Sequence, residues 1–351
     1  MPSSNSHFLT ASASHFTQLR AAKNELSKDL LRPAAAAQSL MDLTAATSSK
    51  PKQNVVGVGI GEKITDGKAT GIMAVKLLVR VKYTEHEIPA TDLLPKSVNG
   101  LPVDVEQVGT FRRFPRGAAA PAKAVTAAMP NPRTRIRPAA PGSSIGFRDP
   151  NNQFVMAGTF GALVKKGSKL YVLSNNHVLA DENQLPLGSP IFQPGLLDGG
   201  NPATDQIAKL TKFVTLTTTG TNKVDCAIAE AKSNLVTNAI LFIGAPNGKT
   251  DAQIDMIVHK FGRTTSYRVG RITSVDTDVN VGYDIGTVTF QNQIIIVGLN
   301  GHQFSNSGDS GSLILERSTQ KAVGLLFAGS STHTIANHIS AVLQALSVTL
   351  A

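Results

Sequence analysis

The sequence contains very little cysteine, tryptophan or charge. Of its 351 residues one is cysteine, Cys226, and none is tryptophan, while charged residues make up 17%. A single cysteine cannot form an intramolecular disulfide, so the chain needs no oxidising compartment, and we expect a cytoplasmic location. No apolar run reaches the roughly 18 residues that a membrane span requires. The first residues, MPSSNSHFLTASASHF, lack the basic and apolar regions of a signal peptide, so no membrane association is expected.

Charge is unevenly distributed along the chain. The net charge is +10, yet residues 1–150 carry 20 Lys and Arg against 11 Asp and Glu, whereas residues 151–351 carry 14 against 13. Between 112 and 148 every charged side chain is basic, and the stretch is rich in Ala and Pro. This composition predicts an extended linker over 112–141 that buries little surface. The basic residues are Arg112, Arg113, Arg116, Lys123, Arg133, Arg135, Arg137 and Arg148.

The basic stretch leaves more than one interpretation open. Clustered positive charge can bind nucleic acid non-specifically and in a salt-sensitive way. Linkers rich in Pro and Ala commonly carry scattered charge, however, so we favour a spacer and expect no nucleic-acid partner. Exposed linkers are also where proteases cut, which makes self-processing in this stretch a further hypothesis.

Two regions are predicted ahead of the linker. Residues 14–31 have a helical composition and apolar spacing, Pro33 ends that pattern, and 34–47 is a second Ala-rich candidate helix. Together they predict a helical N-terminal segment over 1–52. Residues 53–111 then predict a small α+β domain, because they contain alternating or apolar strand patterns. Those patterns lie at 54–61, 71–83 and 101–109.

From residue 142 onward, short apolar strands alternate with turn signals. This pattern is typical of β-sandwiches and barrels, so the fold class is mainly β. A region of about 210 residues is long enough for two small β-barrels packed together. The strand-like segments are 160–174, 206–216, 224–231, 270–281, 286–298, 311–316 and 322–329.

Three segments of this C-terminal part each present one polar residue beside an apolar strand. LYVLSNNHVLA contains His177, VDCAIAE contains Asp225 and NSGDSGSLIL contains Ser310. A serine hydroxyl becomes nucleophilic when an imidazole takes its proton, and a buried carboxylate orients that imidazole. Glycines on both sides of the serine allow a tight turn, in which the amides of Gly308 and Ser310 can form an oxyanion hole.

These residues resemble the chymotrypsin-like serine proteases. GDSGS at 308–312 is similar to their nucleophile motif, SNNHVLA to their His turn and VDCAIAE to their Asp strand, in the family's order of His, Asp and Ser. FGRTTSYRVGRITSV at 261–275 resembles a stretch of the streptogrisin-type bacterial members. The set is most similar to intracellular trypsin-like peptidases that include the plant narrow-leaf proteins. Over 142–351 the resemblance implies a chymotrypsin-like double β-barrel.

The sequence departs from the family pattern at several positions. Ser266 stands where Gly is usual in the streptogrisin-type stretch. Ser312, which follows Gly311, stands where many secreted members have Gly. In trypsin-like enzymes the equivalent of Asp309 often pairs with a newly freed N-terminal amine, for which Ile145 would be the candidate. The preceding Ser144 is no tryptic cleavage site, so we favour backbone or Lys/Arg partners for Asp309.

The resemblance also implies a primary substrate pocket. Family alignment places its lining near Phe304 and along Leu326, Phe327 and Ala328. None of the four is acidic, which indicates an apolar rather than a basic preference in the substrate. The alternative is that Leu326 and Phe327 belong to the barrel core.

Other residues give weaker alternatives for the site. Asp205 is a rival acid, but it precedes a charged strand, whereas Asp225 precedes an apolar one. Cys226 is interpreted as a small buried hydrophobic residue. The histidines have no metal-ligand spacing, and VGVGIGEK is neither a P-loop nor a complete dinucleotide motif, so we expect no metal and no cofactor. An α/β-hydrolase is excluded because G-x-S-x-G is not matched.

Together these features predict a serine endopeptidase. Protein or peptide substrates would be hydrolysed through an acyl-enzyme, with Ser310 as nucleophile, His177 as general acid–base and Asp225 as orienting group. The alternative is a gated or inactive protease-like scaffold or binding protein, which the long N-terminal region motivates. A homo-oligomer is left open.

Overall fold

The computed structural model describes residues 12–31, 54–113, 129–151 and 154–351. The described residues are mainly strand, which confirms the predicted mainly β class, while the closure of two barrels and the separate α+β domain stay predictions. The candidate helix at 34–47 lies outside the described residues. The helices are α1 (Ala13–Leu30), α2 (Asn176–Leu179) and α3 (Ile339–Leu346).

The strands run through the whole described chain. The first five, which precede residue 114, are β1 (Val55–Thr65), β2 (Lys68–Val79), β3 (Ser97–Val98), β4 (Leu101–Gln107) and β5 (Arg112–Arg113). The next eight are β6 (Ser144–Phe147), β7 (Gly158–Thr159), β8 (Ala162–Lys166), β9 (Lys169–Ser174), β10 (Pro190–Phe192), β11 (Gln206–Phe213), β12 (Thr221–Asn222) and β13 (Ala227–Ala231). The last are β14 (Ile257–Gly262), β15 (Ser266–Tyr283), β16 (Gly286–Gly298), β17 (Leu313–Glu316), β18 (Ala322–Gly329), β19 (His333–His338) and β20 (Thr349–Leu350).

Within the described residues the strands form two sheets. The larger has the order β12-β16-β19-β18-β17-β14-β15-β1-β2-β4-β3, and β5 joins it between β15 and β18. The smaller has the order β20-β8-β9-β13-β11-β10-β6-β7. Nearly all neighbours are antiparallel, which is why apolar and polar residues alternate along so many short strands. The smaller sheet encloses its own buried apolar cluster, which includes Phe147, Phe160 and Ile191.

The strands before residue 80 continue the larger sheet. β1 pairs with β15 antiparallel, with Gly57 opposite Val279 and Gly61 opposite Ser274. A Cβ at Gly59 would lie 2.3 Å from Thr277 Oγ1, so glycine is needed where these backbones approach. The alternation of Gly with Val and Ile in VVGVGIG is therefore explained by close contact with a strand from the C-terminal half.

Helix α1 packs on this extended sheet. The Ser12 side chain accepts a hydrogen bond from the amide of His15 and so caps the first turn. Leu19, Ala22 and Leu26 recur at helical spacing and are buried in the same apolar cluster as β1 and β2. The pattern that predicts a helix over 14–31 thus corresponds to one face of α1.

Both ends of the predicted linker bury surface, contrary to the expectation from composition. Arg113 of β5 is 5% exposed and Ala139 is fully buried. Arg135 and Arg137 both reach the carboxylate of Asp205, at 2.7 and 3.3 Å. Composition does not predict this burial, because it counts charged residues without their partners. Asp205, the partner of both arginines, lies about 70 residues away in the sequence. Residues 114–128 lie outside the described residues, and the domain boundaries stay a prediction.

No described helix is long and apolar enough to cross a membrane. The described residues also contain no group of three or more His, Cys, Asp or Glu side chains that could hold a metal ion.

Candidate active site

His177 lies in a one-turn helix that directly follows β9. The side chain of Asn176 holds this turn in place, because its Nδ2 donates to Asn183 Oδ1 and to Val214 O, at 2.8 and 2.7 Å. Asn183 returns a backbone hydrogen bond to Asn176 Oδ1 at 3.0 Å. Asn176 therefore holds the turn that carries His177, and Asn175 Nδ2 donates to Asp225 O at 2.8 Å. His177 is 2% exposed.

Asp225 is fully buried and faces His177. Its Oδ2 lies 2.5 Å from His177 Nδ1. Its Oδ1 accepts the amide of Asn176 at 2.7 Å. A buried carboxylate held in this way fixes the imidazole tautomer with the proton on Nδ1 and leaves Nε2 as the proton acceptor.

Tyr283 contributes a hydrogen bond that sequence reasoning missed. Its Oη donates to Asp225 Oδ2 at 2.7 Å, and its ring packs edge-on against His177 with centroids 6.0 Å apart. Burial, followed by the neighbouring charge of Asp225, raises the pKa of Tyr283 well above its usual value, so the phenol stays a donor. The only sequence signal is a Tyr at the end of a long strand, which does not indicate its partner.

The turn that carries Ser310 requires both of its glycines. Gly308 and Gly311 each have a φ of 91°, and a Cβ on Gly311 would lie 2.0 Å from Ser174 Oγ. Thr159 ties this turn to the rest of the site. Its Oγ1 donates to Gly308 O at 2.9 Å, and its amide donates to Ser310 O at 2.8 Å. Ser174 Oγ in turn donates to Thr159 O at 2.8 Å.

These contacts bring Ser310 beside the His177 turn. A Cβ on Gly158 would lie 2.7 Å from Val178 and 3.2 Å from Ser310 O, so the residue after His177 and the nucleophile turn both touch one glycine. Ser310 Oγ contacts Phe327 O at 3.5 Å. Among the described residues His177 Nε2 has no hydrogen-bond partner. The two turns are therefore adjacent, and no hydrogen bond in the described part of the chain joins the Ser310 hydroxyl to the His177 imidazole.

The predicted oxyanion hole has two available donors. Within the described part of the chain, neither the amide of Gly308 nor that of Ser310 donates a hydrogen bond. The amides of Asp309, between these two residues, and of Gly311, after them, are already used. Asp309 donates to Asn306 O and Gly311 to Leu326 O, at 3.0 and 2.8 Å. Two unused donors in a rigid turn can stabilise an oxygen that becomes negatively charged.

Asp309 holds the turn from inside. Its carboxylate lies 3.1 Å from Lys260 Nζ and accepts the amides of Thr264 and Thr265 at 2.9 and 3.1 Å. Burial alone would raise the pKa of Asp309, but the charge of Lys260 and the Thr265 hydrogen bonds lower it below its ordinary value. These are the backbone and Lys partners that the sequence favoured.

Pairing of Asp309 with a freed amine at Ile145 gains no support from this arrangement. Ile145 is fully buried within β6, where it pairs with Gly158 of β7. A new N-terminal amine at Ile145 would have to leave this strand before it could reach Asp309, whose charge Lys260 already neutralises.

Asp205, the rival acid, lies elsewhere. Arg135 donates to its Oδ1, and the amide of Asn201 donates to its Oδ2 at 2.9 Å. Burial would raise the pKa of Asp205, but the Asn201 and Arg135 hydrogen bonds and the charge of Arg137 lower it. Asp205 therefore holds the C-terminal end of the basic stretch through Arg135 and Arg137, whereas Asp225 is the acid that contacts His177.

The four predicted substrate-binding residues do not share one apolar cluster. Phe304 and Leu326 are buried in the cluster around β1 and β14. Phe327 and Ala328 are buried in a second cluster with Phe290, whose ring centroid lies 4.7 Å from that of Phe327. Their role in substrate binding stays a prediction, and their packing accords with the barrel-core alternative.

Cys226 and two further histidines, His259 and His333, contact residues other than His177, Asp225 and Ser310. Burial raises the pKa of Cys226 well above its usual value, which keeps the thiol neutral. His259 lies against Tyr267, and burial followed by the charge of Arg317 lowers its pKa to about 4. His333 contacts Glu106 Oε1 at 3.0 Å.

No family model matches the chain, and no curated protein matches its sequence. Solved structures do show a likeness. Thermobifida fusca protease A is 18% identical, with 60% of this chain and 98% of that chain covered and a TM-score of 0.43. Cellulomonas bogoriensis chymotrypsin is 17% identical, with 60% and 97% covered and a TM-score of 0.43. An α-lytic protease homologue, N4, is 17% identical, with 62% and 100% covered and the same score. Likeness of this size does not establish a family for the chain.

Proposed function

We propose that the chain is a serine endopeptidase that hydrolyses peptide bonds through an acyl-enzyme. The observation that carries the proposal is the buried contact of His177 Nδ1 with Asp225 Oδ2, at 2.5 Å, beside a serine in a glycine-flanked turn. Burying an unpaired carboxylate costs several kcal/mol of folding free energy, so a buried carboxylate needs a partner such as an imidazole. A hydroxyl close to an imidazole that is oriented in this way is typical of an activated nucleophile.

Each residue has a defined role in the proposed reaction. In the proposed reaction Ser310 Oγ donates to His177 Nε2, and such hydrogen bonds often tighten only when substrate binds. Oγ attacks the carbonyl carbon as Nε2 takes its proton, and Asp225 stabilises the imidazolium. The amides of Gly308 and Ser310 donate to the oxyanion. The imidazolium then protonates the leaving amine, and water hydrolyses the acyl-enzyme by the same route.

Labelling of Ser310 tests this proposal. A fluorophosphonate should modify the full-length protein, and Ser310→Ala and His177→Ala should abolish the labelling. Ser312→Ala is the matched control, because it removes a hydroxyl two residues away whose bond is to Asp309 O at 2.6 Å. A folded wild-type protein that is neither labelled nor active on a mixed peptide library would contradict the proposal.

A gated or inactive protease-like scaffold is the second candidate. The observation that favours it is that Ser310 and His177 are each 2% exposed and, within the described residues, are not hydrogen-bonded to one another. Turnover of any peptide by the full chain would exclude an inactive scaffold, whereas labelling without turnover would support gating.

Several finer features belong to the same proposal. A cytoplasmic location follows from the single cysteine, and membership among the intracellular, narrow-leaf-like peptidases follows from the motif resemblance. Self-processing between 112 and 141 is also proposed. Intact masses of wild type and Ser310→Ala after incubation test self-processing, because the two patterns should differ.

A further inference from the structure

Strand β5 lies on the edge of β18 that leads away from Ser310. One edge of β18 is occupied by β19 as far as Gly329. On the other edge β17 pairs only as far as Leu325, and the last contact is the hydrogen bond from the amide of Gly311 to Leu326 O. Beyond that point, past Phe327, Ala328 pairs with Arg113 and Gly329 with Arg112, antiparallel.

This edge is where an extended peptide would bind in order to reach the nucleophile. Ser310 Oγ contacts Phe327 O, so the backbone of residues 327–329 begins at the reactive hydroxyl. Extended peptides bind such edges by adding a strand, with main-chain hydrogen bonds supplying the affinity. A peptide cannot pair with Ala328 and Gly329 while β5 does so.

The segment is anchored on its other side as well. The amide of Gly282 in β15 donates to Phe111 O at 3.0 Å, and Gly282 also pairs with Arg112. The Phe111 side chain is 1% exposed and lies in the apolar cluster that contains Phe327 and Tyr283. The segment 111–113 therefore lies between two strands and is not a loose edge.

Ion pairs of Arg113 also hold the segment 111–113 in place. Its guanidinium forms ion pairs with Glu182 and with Asp284, and the Glu182 side chain is fully buried. Glu182 belongs to the turn after His177, and it also accepts the amide of Ile285 at 3.0 Å. One buried arginine thus joins the turn after His177 to the end of the β15–β16 hairpin.

We propose that residues 111–113 are an autoinhibitory strand that occupies the peptide-binding edge of β18 until it is displaced. The inference rests on the proposed function, because it assigns a regulation to the same site. Peptide turnover is then limited by the fraction of molecules in which β5 has left β18.

A charge reversal at Arg113 tests the proposal in the full chain. Arg113→Glu places a third carboxylate against Glu182 and Asp284, so β5 should be expelled. We expect peptide kcat/KM to rise about tenfold or more as the competent fraction grows. Arg112→Glu is the matched control, because it makes the same charge change one residue earlier, where no ion pair is formed with the described residues. Its turnover should stay near that of wild type.

Fluorophosphonate labelling separates the two possible failures. If Ser310 is labelled and peptide turnover is equal in wild type and in folded Arg113→Glu, the autoinhibitory strand is disproved and the protease proposal stands. If neither protein is labelled, the proposed function fails and this inference fails with it. Slow labelling of wild type with fast labelling of Arg113→Glu supports both.

A second measurement uses the wild-type protein and so does not depend on the folding of a variant. A peptide boronate that bonds to Ser310 needs the β18 edge for its own backbone. Hydrogen exchange of the amides at 111–113 should therefore become at least about tenfold faster in its presence, because opening is no longer transient. Unchanged exchange at 111–113 with the boronate bound to Ser310 would overturn the proposal.

Discussion

Lys260 and Asp309 form an ion pair from which solvent is fully excluded. Nζ and Oδ2 lie 3.1 Å apart, and both side chains are 0% exposed. Breaking a buried pair by removing one partner costs about 3–5 kcal/mol, because the other charge is left uncompensated. We expect Lys260→Met to lower the unfolding free energy by that amount and to slow the labelling of Ser310, whose turn Asp309 holds. Chemical denaturation and labelling rates check this.

The double variant Lys260→Met, Asp309→Asn is the control for that prediction. The asparagine side chain keeps an oxygen that can accept the Thr264 and Thr265 amides, but it carries no charge. Stability should recover in part relative to Lys260→Met. A double variant that is less stable than the single one would show that the charge of Asp309 is not the cause.

The close approach at Gly311 predicts a severe effect of one methyl group. Gly311→Ala would force a Cβ to within 2.5 Å of Thr159 O at a φ of 91°, so the nucleophile turn must shift. Labelling of Ser310 should fall at least about 100-fold, the cost of losing an oxyanion donor. Gly301→Ala is the control, because its φ is 71° but nothing lies within 4 Å of its Cβ. It should retain labelling.

The phenol of Tyr283 is predicted to position Asp225. Tyr283→Phe keeps the ring against His177 and removes the hydrogen bond to Asp225 Oδ2. We expect kcat to fall about tenfold, with KM nearly unchanged, because one net hydrogen bond to a charged group is worth about 1.5–3 kcal/mol.

Tyr267→Phe is the matched control for Tyr283→Phe. Tyr267 lies on the same strand, and its hydroxyl contacts His259 Nδ1 at 3.2 Å. It should leave kcat unchanged. Equal effects of the two substitutions would assign a purely structural role to Tyr283.

We predict that ionised Glu106 stabilises the fold and that the free energy of unfolding falls when this carboxylate is protonated at acid pH. Burial would raise its pKa, but the His333 hydrogen bond and the charge of Lys76 lower it from 4.5 to about 2. A folded-state pKa below the unfolded value stabilises the fold above pH 4.5, and this contribution is lost as the pH falls from 4.5 to about 2. Glu106→Gln should thus cost roughly 2–3 kcal/mol at pH 7. The difference from wild type should vanish near pH 2.

Denaturation at several pH values measures this difference. Glu85→Gln serves as the comparison, because the Glu85 side chain is 66% exposed and pairs with an exposed Lys96. Exposed pairs contribute little, so this variant should follow wild type at every pH. A pH-independent loss in Glu106→Gln would mean that packing, not ionisation, carries the effect.

The sequence indicated the local parts of the site and missed the distant ones. His177, Asp225 and Ser310 each lie in a short motif whose turn residues are adjacent in the chain, so the pattern could be read directly. Tyr283 contacts Asp225 from 58 residues away, and that contact depends on strand register. No local pattern reports which strand will be the neighbour.

The sequence pattern predicts features that depend on neighbouring residues and misses those that depend on distant ones. Apolar spacing indicated α1 and the strands, because periodicity is a local property. Composition suggested a linker over 112–141, yet Arg113, Arg135 and Arg137 form ion pairs with acids that are far away in the sequence. A charge count contains no information about such partners.

The pairing of β1 with β15 has a consequence for how the protein is made. Ser274 donates to Ile60 O across 214 residues of sequence. During synthesis β1 and β2 leave the ribosome long before their partner strand exists, and contacts this distant form slowly. The backbone edge of β1 that pairs with β15 therefore stays unpaired until residues 274–279 have emerged. Tyr283 and Asp225 also meet only after residue 283 has emerged, so a nascent chain would assemble the candidate site well after β1 and β2 have left the ribosome.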